Sequence, residues 1–434
     1  MILFAYNFLL ICLTVLLSPF ICMLLLFRRK YRCGFLQKCG MLPWEEIRKN
    51  IPAAPIWVHA VSVGEVMAAA LLIKEIRKRF PDTPILLSTV TETGYFTAQH
   101  NVKNADQIIF FPFDYPFIIR KVLSKIVPRV FITLETEIWP NMLFRLNRLA
   151  IPSMIVSGRI SQSSFKNYVN FRFFFKRVLS HISYFCMQTR VDAQRIIRMG
   201  ANPEKVVVTG SIKFDQQVPA ITAEEVEKIY RVLGISKNQE IFIAGSTHRG
   251  EEQIVISVYK RLLKRFPGLV LILAPRHPER FDEVGELLDE NAVSYIRKTN
   301  LTSGSGLAGS RVFLLDTIGE LSKTYSIGTV VFIGGSLVPV GGHNVLEPAV
   351  FSKPVIFGNF MDNFTEIAGI LADKQAALQV SGEEEFFHQA LLLLEDQALR
   401  RRIGDTAFQV VMENSGALQK SMNLLQELFE NKKG

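Results

Sequence analysis

The sequence lacks most of the short signatures that mark common nucleotide and hydrolase chemistries. It contains no GxxxxGK[ST] segment, so phosphate-loop kinases lose support. Its one GxGxxG segment, residues 304–309, precedes the apolar run Val312–Leu315 instead of opening a helix, so dinucleotide-binding oxidoreductases lose support as well. No DxD segment occurs, which disfavours a metal-dependent GT-A sugar transferase, and no GxSxG elbow of an α/β-hydrolase is present. HExxH is absent and the seven histidines are scattered, so the sequence predicts no metal site.

Cysteine and acidic residues are scarce. The five cysteines form no CxxC pair, and the body of the chain after residue 40 holds only Cys186, which is typical of a reducing compartment. Basic residues exceed acidic ones and give a net charge of +10, which suits nucleic acid, an anionic membrane or an acidic substrate. No zinc-finger spacing or RNP-like segment supports nucleic acid, so we predict no nucleic-acid partner.

Charge is missing altogether from Ile2 to Phe27, a run of about 26 residues that is long enough to cross a bilayer. Arg28, Arg29, Lys30 and Arg32 follow at once, and such a basic flank stays in the cytoplasm. A cleaved signal peptide is disfavoured, because only Met1 precedes the run and no small-x-small cleavage site ends it. We therefore predict a membrane anchor over residues 1–30, either spanning the bilayer or lying partly in its interface.

Beyond the anchor, short apolar runs alternate with amphipathic stretches. A helix is predicted over Gly64–Phe80, and Pro81 ends it. Buried strands are predicted at Ile56–Val61, Ile85–Thr89, Gln107–Phe111, Val130–Leu134, Ser153–Val156, Tyr184–Gln188, Val206–Thr209, Ile241–Ala244, Val270–Ala274, Ser294–Ile296, Val312–Leu315, Thr329–Ile333 and Pro354–Phe357.

The alternation stops once, at a polar stretch with a proline around Gln216–Thr222, and then starts again. The fold class is therefore α/β. Two Rossmann-like domains, 31–215 and 216–434, are expected to face each other across a cleft, which is the GT-B architecture. Ligands of such sheets lie at the carboxyl ends of the strands, so the informative residues should follow strands directly.

In the first half, three polar clusters follow predicted strands. Glu65 opens a helix and is a candidate general base for a sugar hydroxyl, although a first-turn glutamate that only complements the helix dipole is equally compatible. Glu135 and Glu137 follow the predicted strand Val130–Leu134. In an extended chain their side chains point to opposite faces, so we expect at most one of the two carboxylates to face the cleft. Lys213 is placed to reach a phosphate or carboxylate, or it is a surface lysine at a hinge.

The second half carries further clusters. Arg276 follows a strand and suits a phosphate or carboxylate. Asp316-Thr317-Ile318-Gly319-Glu320 resembles a capped helix start whose free amides would hold a ligand. Gly341 and Gly342 allow close backbone approach, and Glu347, about three residues into a helix, is placed to accept hydrogen bonds from ribose hydroxyls. Together these clusters predict a nucleotide site.

Aromatic and basic residues are mixed between Phe165 and Phe185. This composition suits a membrane interface, and an ordinary core helix with basic solvent-facing residues is the alternative.

Six of these segments resemble one family, the transferases of 3-deoxy-D-manno-octulosonic acid (Kdo). They are HAVSVGE, ETEIWPN, TGSIKFD, APRHPERF, DTIGEL and GGSLVPVGGHNVLEPA, in this order between about residues 40 and 420. The resemblance implies a GT-B fold and an inverting transfer of Kdo from CMP-Kdo to a lipid A precursor, without a metal or other cofactor. It also implies an acceptor role for the first domain, a donor role for the second, and a bacterial inner membrane location with both domains on the cytoplasmic side.

The resemblance also implies the site residues. Glu65 would deprotonate the acceptor hydroxyl, and Glu135 with Lys213 would stabilise the transition state. The residues implied to hold CMP lie in three segments of the second half: Pro275, Arg276, Ile318, Gly319, Glu320, Asn344, Val345, Leu346 and Glu347.

Two alternatives stay open from the sequence. One is a GT-B transferase or epimerase that uses a UDP-sugar, which assays of CMP-Kdo against UDP-sugars would separate. The other is a non-enzymatic membrane adaptor with a degenerate GT-B fold, which a measurement of CMP binding would test.

Overall fold

The structure is a computed structural model, and it describes residues 2–27, 32–215, 221–301 and 311–430. The chain divides into two units, which we call the first unit (Met1–Asp215 with Asn414–Gly434) and the second unit (Gln216–Glu413). Most of the predicted linker and Arg28, Arg29 and Lys30 of the predicted basic flank lie outside the described residues.

The first unit is built on a seven-stranded sheet of order β3-β2-β1-β4-β5-β6-β7, in which every neighbouring pair is parallel. Apart from the edge strand Val206–Val208, its strands are almost fully buried, because helices cover both faces of a parallel sheet, and this explains their continuous apolar runs. The strands are β1 Ile56–His59, β2 Ile85–Thr89, β3 Gln107–Phe110, β4 Val130–Leu134, β5 Ser153–Gly158, β6 Tyr184–Met187 and β7 Val206–Val208.

The helices of this part of the chain are α1 Ile2–Phe27, α2 Phe35–Lys38, α3 Trp44–Asn50, α4 Val63–Arg79, α5 Glu92–Asn101, α6 Pro116–Leu123, α7 Pro140–Arg148, α8 Gln162–Asn170, α9 Arg172–Leu179 and α10 Arg190–Met199. Short 3₁₀ turns lie at Pro203–Lys205 and Ile212–Asp215.

The second unit contains another seven-stranded parallel sheet, of order β10-β11-β9-β8-β12-β13-β14. Its strands are β8 Ile241–Thr247, β9 Val270–Pro275, β10 Ile296–Arg297, β11 Val312–Leu314, β12 Val330–Ile333, β13 Val355–Phe357 and β14 Leu378–Gln379. The remaining helices are α11 Ala223–Leu233, α12 Glu251–Leu263, α13 Phe281–Glu290, α14 Leu321–Thr324, α15 Leu346–Ala349, α16 Thr365–Asp373, α17 Glu383–Glu395, α18 Gln397–Asn414 and α19 Ala417–Glu430.

The predicted strands are all present to within a few residues, and β14 is a short strand that the sequence did not predict. The expectation of two Rossmann-like units is thereby confirmed. In each sheet the strand order reverses beside the first strand of the unit, between β1 and β4 and between β8 and β12. Such switch points are where doubly wound sheets bind ligands.

Helix α19 belongs to the first unit, which corrects the sequence-based assignment of residues 414–434 to the second domain. Its apolar face completes the first unit's core, where Ala417, Met422 and Leu425 are buried with residues of β1 and β4. The Asp215 carboxylate also accepts hydrogen bonds from the N–H groups of Gly416 (2.5 Å) and Leu418 (2.5 Å) and so caps the start of this helix.

The predicted anchor forms one helix, α1, and Pro19 lies inside it. Its Leu3–Phe20 window has a mean hydropathy of 2.0 and is long and apolar enough to cross a membrane. None of this window is fully buried against the rest of the protein.

Candidate active site

Glu65 lies in the first turn of α4, just after the carboxyl end of β1. Its carboxylate accepts hydrogen bonds from the Val61 N–H (2.9 Å) and the Ser62 Oγ–H (2.9 Å). Burial raises the pKa of Glu65 and the charge of Glu135 raises it further, although the hydrogen bonds from Val61 and Ser62 oppose the shift. The result is a fixed carboxylate that is more basic than an ordinary glutamate, which is what a general base requires.

Glu135 follows β4 directly, on the other side of the switch point from Glu65. Its Oε1 accepts a hydrogen bond from the Lys213 ammonium at 2.8 Å. Lys213 is held by a 3₁₀ turn that starts at Ile212, whose N–H donates to the Ser157 Oγ (3.0 Å). The structure therefore brings together Glu135 and Lys213, 78 residues apart in the sequence, as a half-buried ion pair.

Glu137 is a third acid of this cluster, and the expectation that at most one of Glu135 and Glu137 faces the cleft rested on an extended backbone. The backbone of Glu135 has φ 55°, so the segment is not extended and the two carboxylates need not point to opposite faces. Burial, and then the charges of Glu65 and Glu135, raise the pKa of Glu137 to about 7. The first unit thus holds three interacting carboxyl groups with one lysine.

His59, at the start of the first motif, is a core residue. It is buried and its ring stacks on Phe111 with centroids 3.9 Å apart. Burial lowers its pKa to about 3, so the imidazole is neutral, and its Nδ1 lies 3.0 Å from the Ser88 Oγ.

In the second unit, Arg276 follows β9 at the edge of the sheet where the switch point lies. Its backbone N–H donates to the Thr247 carbonyl oxygen (3.0 Å), which ties it to the end of β8. The side chain is exposed, and within the described ranges no carboxylate forms an ion pair with it. An exposed guanidinium without an ion-pair partner is suited to an anionic ligand.

Ile318, Gly319 and Glu320 form an exposed turn rather than a capped helix start. The helix that follows, α14, begins only at Leu321 and has no side-chain cap. Asp316, the expected cap, instead accepts hydrogen bonds from the N–H (3.0 Å) and Oγ1–H (2.6 Å) of Thr299. Gly319 has φ 85°, a conformation that favours glycine.

Asn344 to Glu347 form the turn into α15. The Asn344 side chain accepts from the Leu346 N–H (3.1 Å) and donates to Glu347 Oε1 (3.4 Å). Glu347 is the second residue of this four-residue helix. Burial raises its pKa, against hydrogen bonds from Asn344 and Ser322 and the charge of Arg276.

Three histidines beside Arg276 were not singled out from the sequence. The Nε2 atoms of His248 and His343 lie 2.8 Å apart, and His277 packs edge-on against His248. Burial, and then the charge of Arg276, lower the pKa of His343 to about 4. Scattered single histidines carry no spacing signal, so only the fold brings them together.

Glu251 is a second residue that the sequence did not reveal. It is buried at the start of α12, and its carboxylate accepts hydrogen bonds from four backbone N–H groups. The donors are His248 (2.9 Å), Gly335 (2.6 Å), Ser336 (3.0 Å) and Leu337 (2.9 Å). The N–H groups of Gly335, Ser336 and Leu337 fix the loop after β12 and are therefore not free for a ligand. The Gly342 N–H donates in turn to the Gly335 carbonyl oxygen (2.7 Å), which links the later glycines to this clamp.

The aromatic and basic stretch from Phe165 contains both core residues and exposed aromatic residues. Phe165, Tyr168, Phe174 and Phe175 are partly buried and pack against the core of the first unit. Phe171 and Phe173 are exposed. In the described part of the chain, no three His, Cys, Asp or Glu residues are arranged to hold a metal ion.

Two doubly wound parallel units, each with polar residues at its switch point, are the architecture of the GT-B class. The family model of 3-deoxy-D-manno-octulosonic-acid transferase (kdotransferase) matches residues 28–216. The 3-deoxy-D-manno-octulosonic acid transferase of Haemophilus influenzae is 35% identical over 380 residues, which is 87% of this chain and 88% of that protein. The chain belongs to this Kdo transferase family and transfers Kdo in lipopolysaccharide synthesis.

Two further proteins resemble the chain. The 3-deoxy-D-manno-octulosonic acid transferase of Bordetella pertussis is 30% identical over 385 residues, or 86% of this chain and 87% of that protein. The crystal structure of the C-terminal CMP-Kdo binding domain of WaaA from Acinetobacter baumannii is 30% identical. The match between the two covers 46% of this chain and 98% of that domain, with a TM-score of 0.40.

Proposed function

We propose that this enzyme transfers Kdo from CMP-Kdo to a lipid A precursor, lipid IVA, with inversion and without a metal or other cofactor. The observation that carries the proposal is the buried Glu65 carboxylate, whose pKa is raised, beside the Glu135–Lys213 ion pair. A base and a fixed cation are what the transfer of an acidic sugar to a hydroxyl needs.

The second unit binds the donor in this proposal. Arg276, with Pro275 fixed at the end of β9, contacts the phosphate of CMP through its exposed guanidinium. Ile318, Gly319 and Glu320 present an exposed turn to the nucleotide, and the segment Asn344, Val345, Leu346 and Glu347 contacts the ribose. The histidines beside Arg276 add hydrogen-bond donors next to the phosphate.

In the chemical step, a hydroxyl oxygen of the acceptor forms a bond to the anomeric carbon of Kdo. The bond from that carbon to the phosphate oxygen breaks, and its electron pair leaves with CMP. Glu65 takes the hydroxyl proton, and its raised pKa favours that transfer. Lys213, oriented by Glu135, stabilises the negative charge of the reacting groups.

The location proposed for the enzyme is the bacterial inner membrane, with both units on the cytoplasmic side. The apolar helix α1 supports an anchor by its length and composition. An enzyme bound to the membrane lies on the same surface as its acylated acceptor. The net charge of +10 favours binding to an anionic membrane surface.

The direct test is the product. Purified enzyme is incubated with a tetraacylated disaccharide acceptor and either CMP-Kdo or a set of UDP-sugars, and products are identified by mass spectrometry. Addition of Kdo from CMP-Kdo in the presence of a chelator supports the whole proposal. Transfer only from a UDP-sugar, or activity that requires added metal, contradicts it.

Replacement of Arg276 by alanine should weaken donor binding and leave acceptor binding nearly unchanged. Loss of one charge-assisted hydrogen bond costs about 1.5–3 kcal/mol, which corresponds to roughly a 10- to 150-fold weaker affinity. Titration calorimetry with CMP measures this, with Arg265→Ala as the control, because Arg265 pairs with Glu395 on the surface of the same unit. Equal CMP affinity in both variants would remove Arg276 from the donor site.

Deletion of residues 1–30 should give a folded enzyme that no longer partitions stably with membranes. The residues proposed for catalysis and donor binding all lie beyond residue 40, so CMP binding should persist. Flotation with vesicles measures partitioning, and calorimetry measures CMP affinity. Complete loss of CMP binding would contradict this separation of anchor and catalytic units.

A further inference from the structure

Helix α1 contacts the first unit through polar side chains. The Asn7 Oδ1 accepts a hydrogen bond from the Asn141 Nδ2 at 2.7 Å, and the Tyr6 hydroxyl donates to Asp114 at 3.3 Å. About two helix turns further along, the hydroxyls of Thr14 and Tyr115 also form a hydrogen bond. These are specific partners, since Asp114 and Asn141 also bind each other at the start of α7.

The residues of α1 that face the first unit follow helical periodicity. Leu3, Tyr6, Asn7, Leu10 and Thr14 are partly buried, while the residues between them are exposed. This spacing of three and four residues defines one stripe along the helix. The Tyr6 ring also packs against Phe174 of α9, with centroids 5.5 Å apart.

This docking is incompatible with a helix that crosses the whole bilayer. At 1.5 Å per residue, Tyr6 lies about 31 Å from Phe27 along the axis, which equals the hydrocarbon thickness of about 30 Å. If the basic flank after Phe27 is cytoplasmic, a spanning helix puts Tyr6 on the far side. Asp114 and Asn141, in a cytoplasmic unit, would then be out of its reach.

The opposite side of α1 is apolar and exposed. Phe4, Phe8, Leu16 and Phe20 are each more than half exposed, at 76%, 63%, 75% and 54%. Beside the helix, α9 contributes to a cavity of about 760 Å³ lined by Arg172, Lys176, Arg177 and Lys205. Arg177 also borders Leu3 of α1 in a smaller pocket, so apolar and basic surfaces adjoin. This combination suits the interface of an anionic membrane.

We propose that α1 is a monotopic anchor: its polar stripe docks on the first unit while its apolar side inserts into the cytoplasmic leaflet, with the basic residues of α9 at the lipid headgroups. The proposal rests on the membrane location proposed above and specifies how the anchor is held. It also explains why an otherwise apolar helix carries Tyr6, Asn7 and Thr14 on one face.

Disulfide trapping in native membranes tests the docking. In the full chain, the pair Asn7→Cys with Asn141→Cys should form a cross-link under mild oxidation, because the two side chains are within hydrogen-bond distance. The matched control is Phe8→Cys with Asn141→Cys, since Phe8 lies at the same height but faces away. Peptide mass spectrometry should find the first cross-link at least tenfold more abundant than the second. Equal yields would overturn the docking.

Reporters fused before Met1 test the topology of the same full chain. A fluorescent protein that folds in the cytoplasm should be bright, and alkaline phosphatase, which needs the periplasm, should stay inactive. Active phosphatase would show that α1 crosses the membrane and would overturn the inference while leaving the anchor itself intact. A chain that fails to float with vesicles would instead contradict the proposed membrane location, and the inference with it.

Discussion

Glu65→Gln is expected to lower turnover by about 10²–10⁴-fold, the range for loss of a general base. The amide keeps the shape of the side chain and one accepting oxygen, so either the Val61 or the Ser62 hydrogen bond survives. It has no basic oxygen that can take the proton of the acceptor hydroxyl. Donor affinity should stay within about twofold, because the proposed CMP residues belong to the second unit.

The pH profile separates a base from a structural residue. Burial raises the pKa of Glu65, so the acid limb of kcat/KM in the natural enzyme should lie above the usual range of a glutamate. Activity falls below that pKa because the protonated carboxyl cannot act as a base. The limb should disappear in Glu65→Gln, whereas a residue that only caps α4 would leave it in place.

The control for Glu65→Gln is Glu75→Gln, further along the same helix, where the carboxylate pairs with Lys78 on the surface. Turnover, CMP affinity and melting temperature are measured on both variants. If Glu65 only complements the helix dipole, its replacement costs about 1 kcal/mol or less of stability and turnover stays near normal. That outcome would end the proposed mechanism, although the GT-B fold and the family would stand.

Much of the architecture could be predicted because parallel sheets are encoded locally. Strands buried on both faces need continuous apolar runs, and helices between them fix a parallel order, so the alternation alone gave two Rossmann-like halves. The same logic located Glu65, Glu135 and Arg276, since carboxyl ends of parallel strands meet at one edge. Their chemical roles came from the family resemblance and remain predictions.

What could not be predicted depends on backbone conformation or on contacts between distant segments. The expectation for Glu135 and Glu137 assumed an extended chain, because the sequence does not show that Glu135 adopts φ 55°. Helix α19 was assigned to the wrong unit, because an amphipathic pattern shows that a helix packs but not against what. Asp316 has the spacing of a cap, yet Thr299 binds it through a contact 17 residues away.

Glu251 forms a set of four backbone hydrogen bonds that the sequence did not reveal. Glu251 lies in the first turn of the helix after the first strand of its unit, as Glu65 does in the other unit. Its role is structural, because its carboxylate binds backbone N–H groups. Its two carboxylate oxygens accept hydrogen bonds from the N–H groups of residues 248, 335, 336 and 337. The last three of these residues lie 84 to 86 positions after Glu251 in the sequence. The Gly335 carbonyl oxygen in turn accepts from the Gly342 N–H (2.7 Å), so the clamp supports the proposed donor segment.

Glu251→Ala should therefore destabilise the second unit by about 3–5 kcal/mol, since several buried N–H groups lose their acceptor at once. For a unit of this size the melting temperature should fall by roughly 6–20 °C. Glu251→Gln should also be destabilised, because its NH₂ group would face backbone N–H donors that now share one carboxylate oxygen. Calorimetric melting measures this, with Glu286→Ala as the control, an exposed glutamate on α13. At temperatures where Glu251→Ala is still folded, CMP affinity should fall as well, because the 335–342 contact loosens. A melting temperature equal to that of Glu286→Ala would show that the four amides find other partners, and would refute the clamp.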